Sequence, residues 1–228
     1  MESLRPDREK IVAAIINSFP REFMNLSREE QQVSVQLYRL LAAGQPVPRQ
    51  TVAKTLNLTE DAVNQILDRW PGVYFDEGGR IIGYWGLALP NMAHRFAVNG
   101  QTLYTWCAWD SLFLPQILET TARVESRCPV TGEAIRLTVA PEGVRQLDPP
   151  GAVLSFVTPE EAKVRENVIL NFCHYVYFFA SAGAASKWVP ENPGTFLLSL
   201  DDAYYLGRKK NSVQYKEVLD AGGGRRQE

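Results

Sequence analysis

The chain has 228 residues, 45% of them hydrophobic and 22% charged, with a formal net charge of −2 at pH 7. That is the composition of a globular protein able to bury a core, as one large domain or two small ones. The balance gives no electrostatic reason to expect nucleic acid or an anionic membrane as partner, and no apolar stretch approaches the length of a bilayer span.

The first 90 residues read as helices followed by a hairpin. Ile11, Val12, Ala14, Ile15 and Ile16 mark an amphipathic helix over 6–19. Ser27-Arg28-Glu29-Glu30 has the form of a capping box and opens a helix that reaches Leu41 and stops near Gly44. Short helices over 51–56 and 59–70 follow, the second with Glu60 and Asp61 in its first turn, where the helix dipole favours acids. Segments 73–75 and 80–85, joined through Asp76-Glu77-Gly78-Gly79, form a hairpin. This is the element order of a winged helix. The charges argue against DNA binding, because residues 51–70 hold Lys54 and Arg69 against Glu60, Asp61 and Asp68. The hairpin tip adds two more acids. A packing or lid module is the expected role of residues 1–90.

Beyond Pro90 the texture changes to a core of short, mainly antiparallel strands with helices between them. Strands are expected at 94–98 and 103–104 around the Asn99-Gly100 turn, then at 123–126, 134–140 and 152–157. A short helix should hold Cys107, with Pro115 near the start of a second turn over 116–121. Thr158-Pro159-Glu160-Glu161 signals another helix, reaching about 167. The aromatic and β-branched run 172–180 reads as a strand. A helix at 184–188, a strand at 195–199 and a final helix over 201–219 complete the pattern, with Arg208-Lys209-Lys210 expected on a solvated face. The fold class is thus α+β: a winged-helix-like unit over 1–90, a mixed α/β core over 91–220, and a tail over 221–228 expected to be disordered.

Cys107 and Asp110 carry the most chemical information. They lie three residues apart in Trp106-Cys107-Ala108-Trp109-Asp110-Ser111-Leu112, a segment otherwise too apolar for either. On a helix, positions i and i+3 share a face, so both groups would address one bound atom. Cys173 stands in a second aromatic stretch, Phe172-Cys173-His174-Tyr175. A cysteine among apolar residues is ordinarily a small core hydrophobe. A carboxyl in such company is different, because burial costs several kcal/mol unless it is paired, hydrogen-bonded or neutral. Two thiols and an acid suit the capture of a thiophilic metal and protonation of what it carries. Three cysteines, at 107, 128 and 173, make no disulfide framework, and the first residues lack a signal-peptide apolar region. Reduced thiols in a cytoplasmic protein are the expectation. Cys128 reads as structural, since three cysteines cannot complete a four-cysteine site. Trp106, Trp109, Phe172 and Tyr175 are the expected walls of the site.

Tyr104 to Leu112, Thr121-Ala122-Arg123-Val124, Cys128-Pro129-Val130-Thr131-Gly132, Phe172-Cys173-His174 and Phe178-Phe179-Ala180-Ser181 together resemble the organomercurial lyase (alkylmercury lyase) family. The similarity runs in order from about Leu40 through Ser181. It implies a winged-helix-like N-terminal domain before an α/β core, and protonolysis of carbon–mercury bonds without an organic cofactor. By position, Cys107 and Cys173 match the family's catalytic cysteines and Asp110 its catalytic aspartate; the same three residues would bind the mercury. The implied partners are an organomercurial substrate and thiols that accept Hg(II), with no nucleic acid or membrane. His174 stands where some members carry another cysteine, which bears on auxiliary mercury binding only. The competing reading is a thiol-based metal-binding or metal-transfer protein without turnover, which would have no use for Asp110.

Overall fold

The computed structural model describes residues 5–219, so the expected tail over 221–228 lies outside the described residues. Helix α1 (Arg5–Asn17) turns at Pro20 into a four-residue helix, α2 (Arg21–Met24), that the sequence pattern did not signal. Helix α3 (Arg28–Leu41) begins in the expected capping box: Ser27 accepts from the Glu30 amide while the Glu30 carboxylate accepts from the Ser27 amide. Helices α4 (Arg49–Leu56) and α5 (Glu60–Arg69) follow, α5 capped by Thr59. Asn57 ends α4 in the left-handed conformation, which asparagine tolerates.

Strands β1 (Val73–Phe75) and β2 (Ile81–Tyr84) form the expected hairpin. A two-residue strand, β3 (Leu87–Ala88), then joins β2 to the pair β4 (His94–Val98) and β5 (Gln101–Thr105). Asn99 and Gly100 both have positive φ, 50° and 75°, as the tight hairpin turn requires. After α6 (Asp110–Leu118), strands β6 (Ala122–Arg127), β7 (Ala134–Ala140) and β8 (Gly143–Asp148) extend the same sheet. Its order is β1-β2-β3-β5-β4-β6-β7-β8, antiparallel throughout. The sheet therefore runs without interruption across residue 90. Strand β8 escaped the sequence reading because it is a half-exposed edge strand with no clean alternation.

A smaller sheet holds β9 (Val153–Val157) between β10 (Phe178–Phe179) and β11 (Thr195–Ser199). Helix α7 (Glu161–Asn171) starts later than Thr158 and Pro159 suggested; the residue before a proline prefers extended backbone, so the chain runs on from β9. The non-helical φ/ψ at Asn167 marks a kink where the helix was expected to end. The run 172–180 is not one strand. A 3₁₀ turn occupies Cys173–Tyr175 and only Phe178–Phe179 pair in a sheet, because Ser155 satisfies the backbone between them: its hydroxyl donates to the Tyr175 carbonyl at 2.8 Å and accepts from the Tyr177 amide at 3.0 Å. The aromatic content reflected burial rather than strand geometry. Helix α8 (Ala182–Trp188) precedes β11, and α9 (Leu200–Gln214) closes the fold, capped by Ser199. It ends five residues short of the expected Leu219; beyond it the buried Tyr215 phenol bonds Ser34 of α3 at 2.8 Å.

Candidate active site

The segment holding Cys107 is not helical. It is the turn between β5 and α6, and Asp110 is the first residue of that helix. The carboxylate reaches back, and Oδ2 accepts the Cys107 amide at 2.9 Å. Thr105 Oγ1 donates to the Cys107 carbonyl at 2.9 Å, and Ser111 Oγ donates to the Ala108 carbonyl at 2.7 Å. The turn is thus closed by its own side chains. Cys107 and Asp110 are neighbours through this turn and not, as expected, through a shared helix face.

One backbone bond brings in the third residue: the Ala108 amide donates to the Val176 carbonyl at 3.1 Å, tying the Cys107 turn to the chain just past Cys173. The 3₁₀ turn, closed by the Tyr175 amide on the Phe172 carbonyl and the Val176 amide on the Cys173 carbonyl, turns Cys173 inward and leaves His174 exposed. The result is a cluster in which one sulfur of Cys107, one of Cys173 and a carboxylate oxygen of Asp110 all lie within 4.8 Å of one another. Both thiols are free and buried. Cys128 stays apart in the turn before β7, where its amide donates to the Glu133 carbonyl at 2.9 Å.

Burial governs the electrostatics. It pushes the Cys107 thiol well above its ordinary range, with hydrogen bonding to Cys173 and the charge of Asp110 acting in the same direction. Burial also raises the Cys173 thiol, against a hydrogen bond from Cys107 that lowers it. Asp110 rises from 3.8 to about 6 through burial, opposed by hydrogen bonds from Cys107 and by the positive charge of Lys210. At neutral pH the resting site is therefore two protonated thiols around a carboxylate.

A small cavity of about 20 Å³ opens onto Asp110 and Cys173, walled by Trp106, Trp109, Phe172, Phe19, Phe23 and Trp85, with Lys210 also in its lining. Room on that scale holds little more than one water molecule. Three of the four expected aromatic walls are present. Tyr175 is not among them, because the 3₁₀ turn carries it elsewhere. Phe19, Phe23, Trp85 and Gly86 come from the first 90 residues, so that region covers the site. A wider groove of about 570 Å³, lined by Arg95, Arg127, Arg136 and Tyr177, contains neither thiol.

Lys210 is the residue the sequence concealed. Within Arg208-Lys209-Lys210 it reads as one more surface cation, yet it is 1% exposed. Its ammonium lies 4.0 Å from the Phe113 ring centroid and 5.2 Å from that of Phe23, and donates to Asn211 Oδ1 at 3.4 Å. Burial lowers its pKa from 10.5 to about 7, with Asp110 pulling the other way. The signal was available in α9: at i, i+4 and i+7 spacing, Ala203, Gly207 and Lys210 share the face turned to α6. Gly207 on that face lets the helices approach, since a Cβ there would sit 2.8 Å from Phe113 Cβ.

Comparison with known proteins agrees with the geometry. The MerB family model, described as alkylmercury lyase, matches residues 87–211. A curated alkylmercury lyase of Staphylococcus epidermidis is 42% identical over 188 residues, covering 82% of this chain and 84% of its own. That of Pseudomonas putida is 40% identical over the same length and coverage. The chain belongs to the alkylmercury lyase family. It is thereby an enzyme of the carbon–mercury lyase class. A solved structure described as the mercury-bound form of MerB2 superposes with a TM-score of 0.70 over 91% of this chain and 98% of its own, at 21% identity. That likeness is one of fold; it spans nearly the full chain and includes the mixed α/β core.

Proposed function

We propose that this alkylmercury lyase family member splits carbon–mercury bonds by protonolysis, with Cys107 and Cys173 as mercury ligands and Asp110 as the proton carrier. The observation that carries the proposal is the convergence of two sulfurs and one carboxylate oxygen within 4.8 Å. Mercury is soft and thiolate is the softest ligand a protein offers, so the metal drives deprotonation of thiols that burial otherwise keeps neutral. As the first sulfur binds an R–Hg(II) cation, its proton passes to the Asp110 carboxylate. The second thiol then binds and gives its proton to solvent, loading electron density onto the metal. The Hg–C bond breaks, and its electron pair takes the proton from Asp110 to form R–H. The carboxylate returns to its resting charge, and Hg(II) remains bridged between two sulfurs.

Proximity rather than acid strength makes a carboxylic acid adequate for protonating a weakly basic carbon. The aromatic walls line the cavity beside Asp110 and Cys173 with apolar surface suited to an organic group. Residues 1–90 act in this reading as a winged-helix-like cover on the core, in keeping with Phe19, Phe23 and Trp85 in the cavity lining. Free thiols in a cytoplasmic setting would take Hg(II) from the product complex. Among the described residues no helix is long and apolar enough to cross a membrane.

The test is chemical. Purified protein is incubated with methylmercury or phenylmercury and excess thiol, and methane or benzene is measured. Asp110→Ala should keep mercury binding and lose about 10²- to 10⁴-fold in hydrocarbon release, the usual range for a positioned general acid. Mercury bound stoichiometrically by wild type without hydrocarbon would instead establish a binding or transfer protein.

A further inference from the structure

The turn between β2 and β3 meets Asp110 more closely than any ordinary packing contact allows for a side chain. Gly86 has φ of 100°, and a Cβ built on it would lie 2.5 Å from Asp110 Cγ, 2.7 Å from Oδ1 and 2.9 Å from Asp110 Cβ. No other described glycine would press a Cβ so closely on its neighbour. Trp85, just before it, is a non-glycine residue at φ of 29°, a conformation that persists only where surrounding structure enforces it. That enforcement is visible. The Tyr38 hydroxyl donates to the Trp85 carbonyl at 2.8 Å, the Trp85 amide donates to the Gly72 carbonyl at 3.1 Å, and the Trp106 amide donates to the Gly86 carbonyl at 3.0 Å. The Trp85 ring stacks on Phe23. Backbone tied at three points does not give way, so the carboxyl must take the position the turn leaves it.

We propose that the Trp85–Gly86 turn is the positioning device for the proton donor, with Gly86 as the positioning residue that confines the Asp110 carboxyl between this backbone and the Cys107 amide. Oδ2 is held by that amide at 2.9 Å, and Oδ1 faces the Gly86 Cα. Clamped from both sides, the carboxyl keeps one rotamer beside the thiols throughout proton uptake and delivery. The first 90 residues thus reach into the chemistry through a backbone contact, in addition to covering the cavity. This inference rests on the reading of Asp110 as proton carrier. The position of the carboxyl is nevertheless testable without turnover.

Gly86→Ala is compared with Gly79→Ala in the full-length protein. Gly79 also has positive φ, 71°, but faces open space, so its alanine variant carries backbone strain without a collision. Selective ¹⁵N-cysteine labelling yields one amide signal from each of the three cysteines, and Asp110→Ala identifies that of Cys107. In Gly86→Ala the Cys107 signal should move as it does in Asp110→Ala, with hydrocarbon release down about 100-fold, the usual consequence of an ångström of misplacement. Stoichiometric Hg(II) binding should persist. Gly79→Ala should change neither signal nor release. Should Gly86→Ala not fold, Tyr38→Phe frees the Trp85 carbonyl and should lower release several-fold with a smaller displacement of the same signal. A Cys107 signal unmoved in Gly86→Ala, or in Tyr38→Phe where that is the variant in hand, overturns the proposal. Absence of hydrocarbon from wild type defeats the lyase reading instead, and the amide signal still decides whether Gly86 holds Asp110.

Discussion

Asp110→Asn should make the protein inactive and more stable, and the structure gives the size of the second effect. Asparagine keeps the shape of the side chain, and its carbonyl oxygen can still accept the Cys107 amide now bound at 2.9 Å. What it removes is a buried ionisable group whose pKa has risen from 3.8 to about 6, chiefly through burial. Between those two values the folded protein binds a proton that the unfolded chain has released, so stability falls as pH rises through this window and stays lost above it. The full loss is about 3 kcal/mol, since each pKa step corresponds to 1.36 kcal/mol. Lys210 loses its counter-charge in the variant, but with a pKa lowered to about 7 it is largely neutral at pH 8 and subtracts little. For a chain of this size about 3 kcal/mol raises the melting temperature by up to about 10 °C. Thermal unfolding of wild type and Asp110→Asn at pH 8 and pH 4.5 is the assay. The stability gap should be near 3 kcal/mol at pH 8 and shrink to about 1 kcal/mol at pH 4.5, where most of the window has yet to be crossed. An equal gap at both pH values, or a variant less stable at pH 8, would refute the claim that the site holds its carboxylate at the expense of stability.

Lys210→Met removes a positive charge that lowers the Asp110 pKa, so the acidic limb of the pH–rate profile for hydrocarbon release should move to higher pH. Lys210→Arg should leave that limb close to wild type, while Hg(II) stoichiometry stays unchanged in both. Ser34→Ala strips a buried hydroxyl that accepts from the Tyr84 phenol at 2.8 Å and bonds the Tyr215 phenol at 2.8 Å. Leaving two buried phenols short of a partner should cost about 2–4 kcal/mol, read from the urea midpoint at unchanged slope.

The candidate residues are legible in the sequence because their chemistry depends on residue type. A carboxyl three residues from a thiol in an apolar run is expensive wherever it is buried, and that singles out Asp110 in the sequence. Capping at Ser27, the Asn99-Gly100 turn and the alternation in 134–140 were equally readable, since each is decided by bonds among near neighbours in the chain. Tertiary structure decided the rest. Cys107 and Cys173 stand 66 positions apart, and only the Ala108–Val176 hydrogen bond and the inward 3₁₀ turn bring them together. The run 172–180 has strand composition but takes its geometry from Ser155, a residue of another strand. Lys210 and Gly86 gain their places from which helix face and which turn the fold presses against Asp110. Local pattern records which residues can do chemistry; packing between distant segments determines which of them share a cavity.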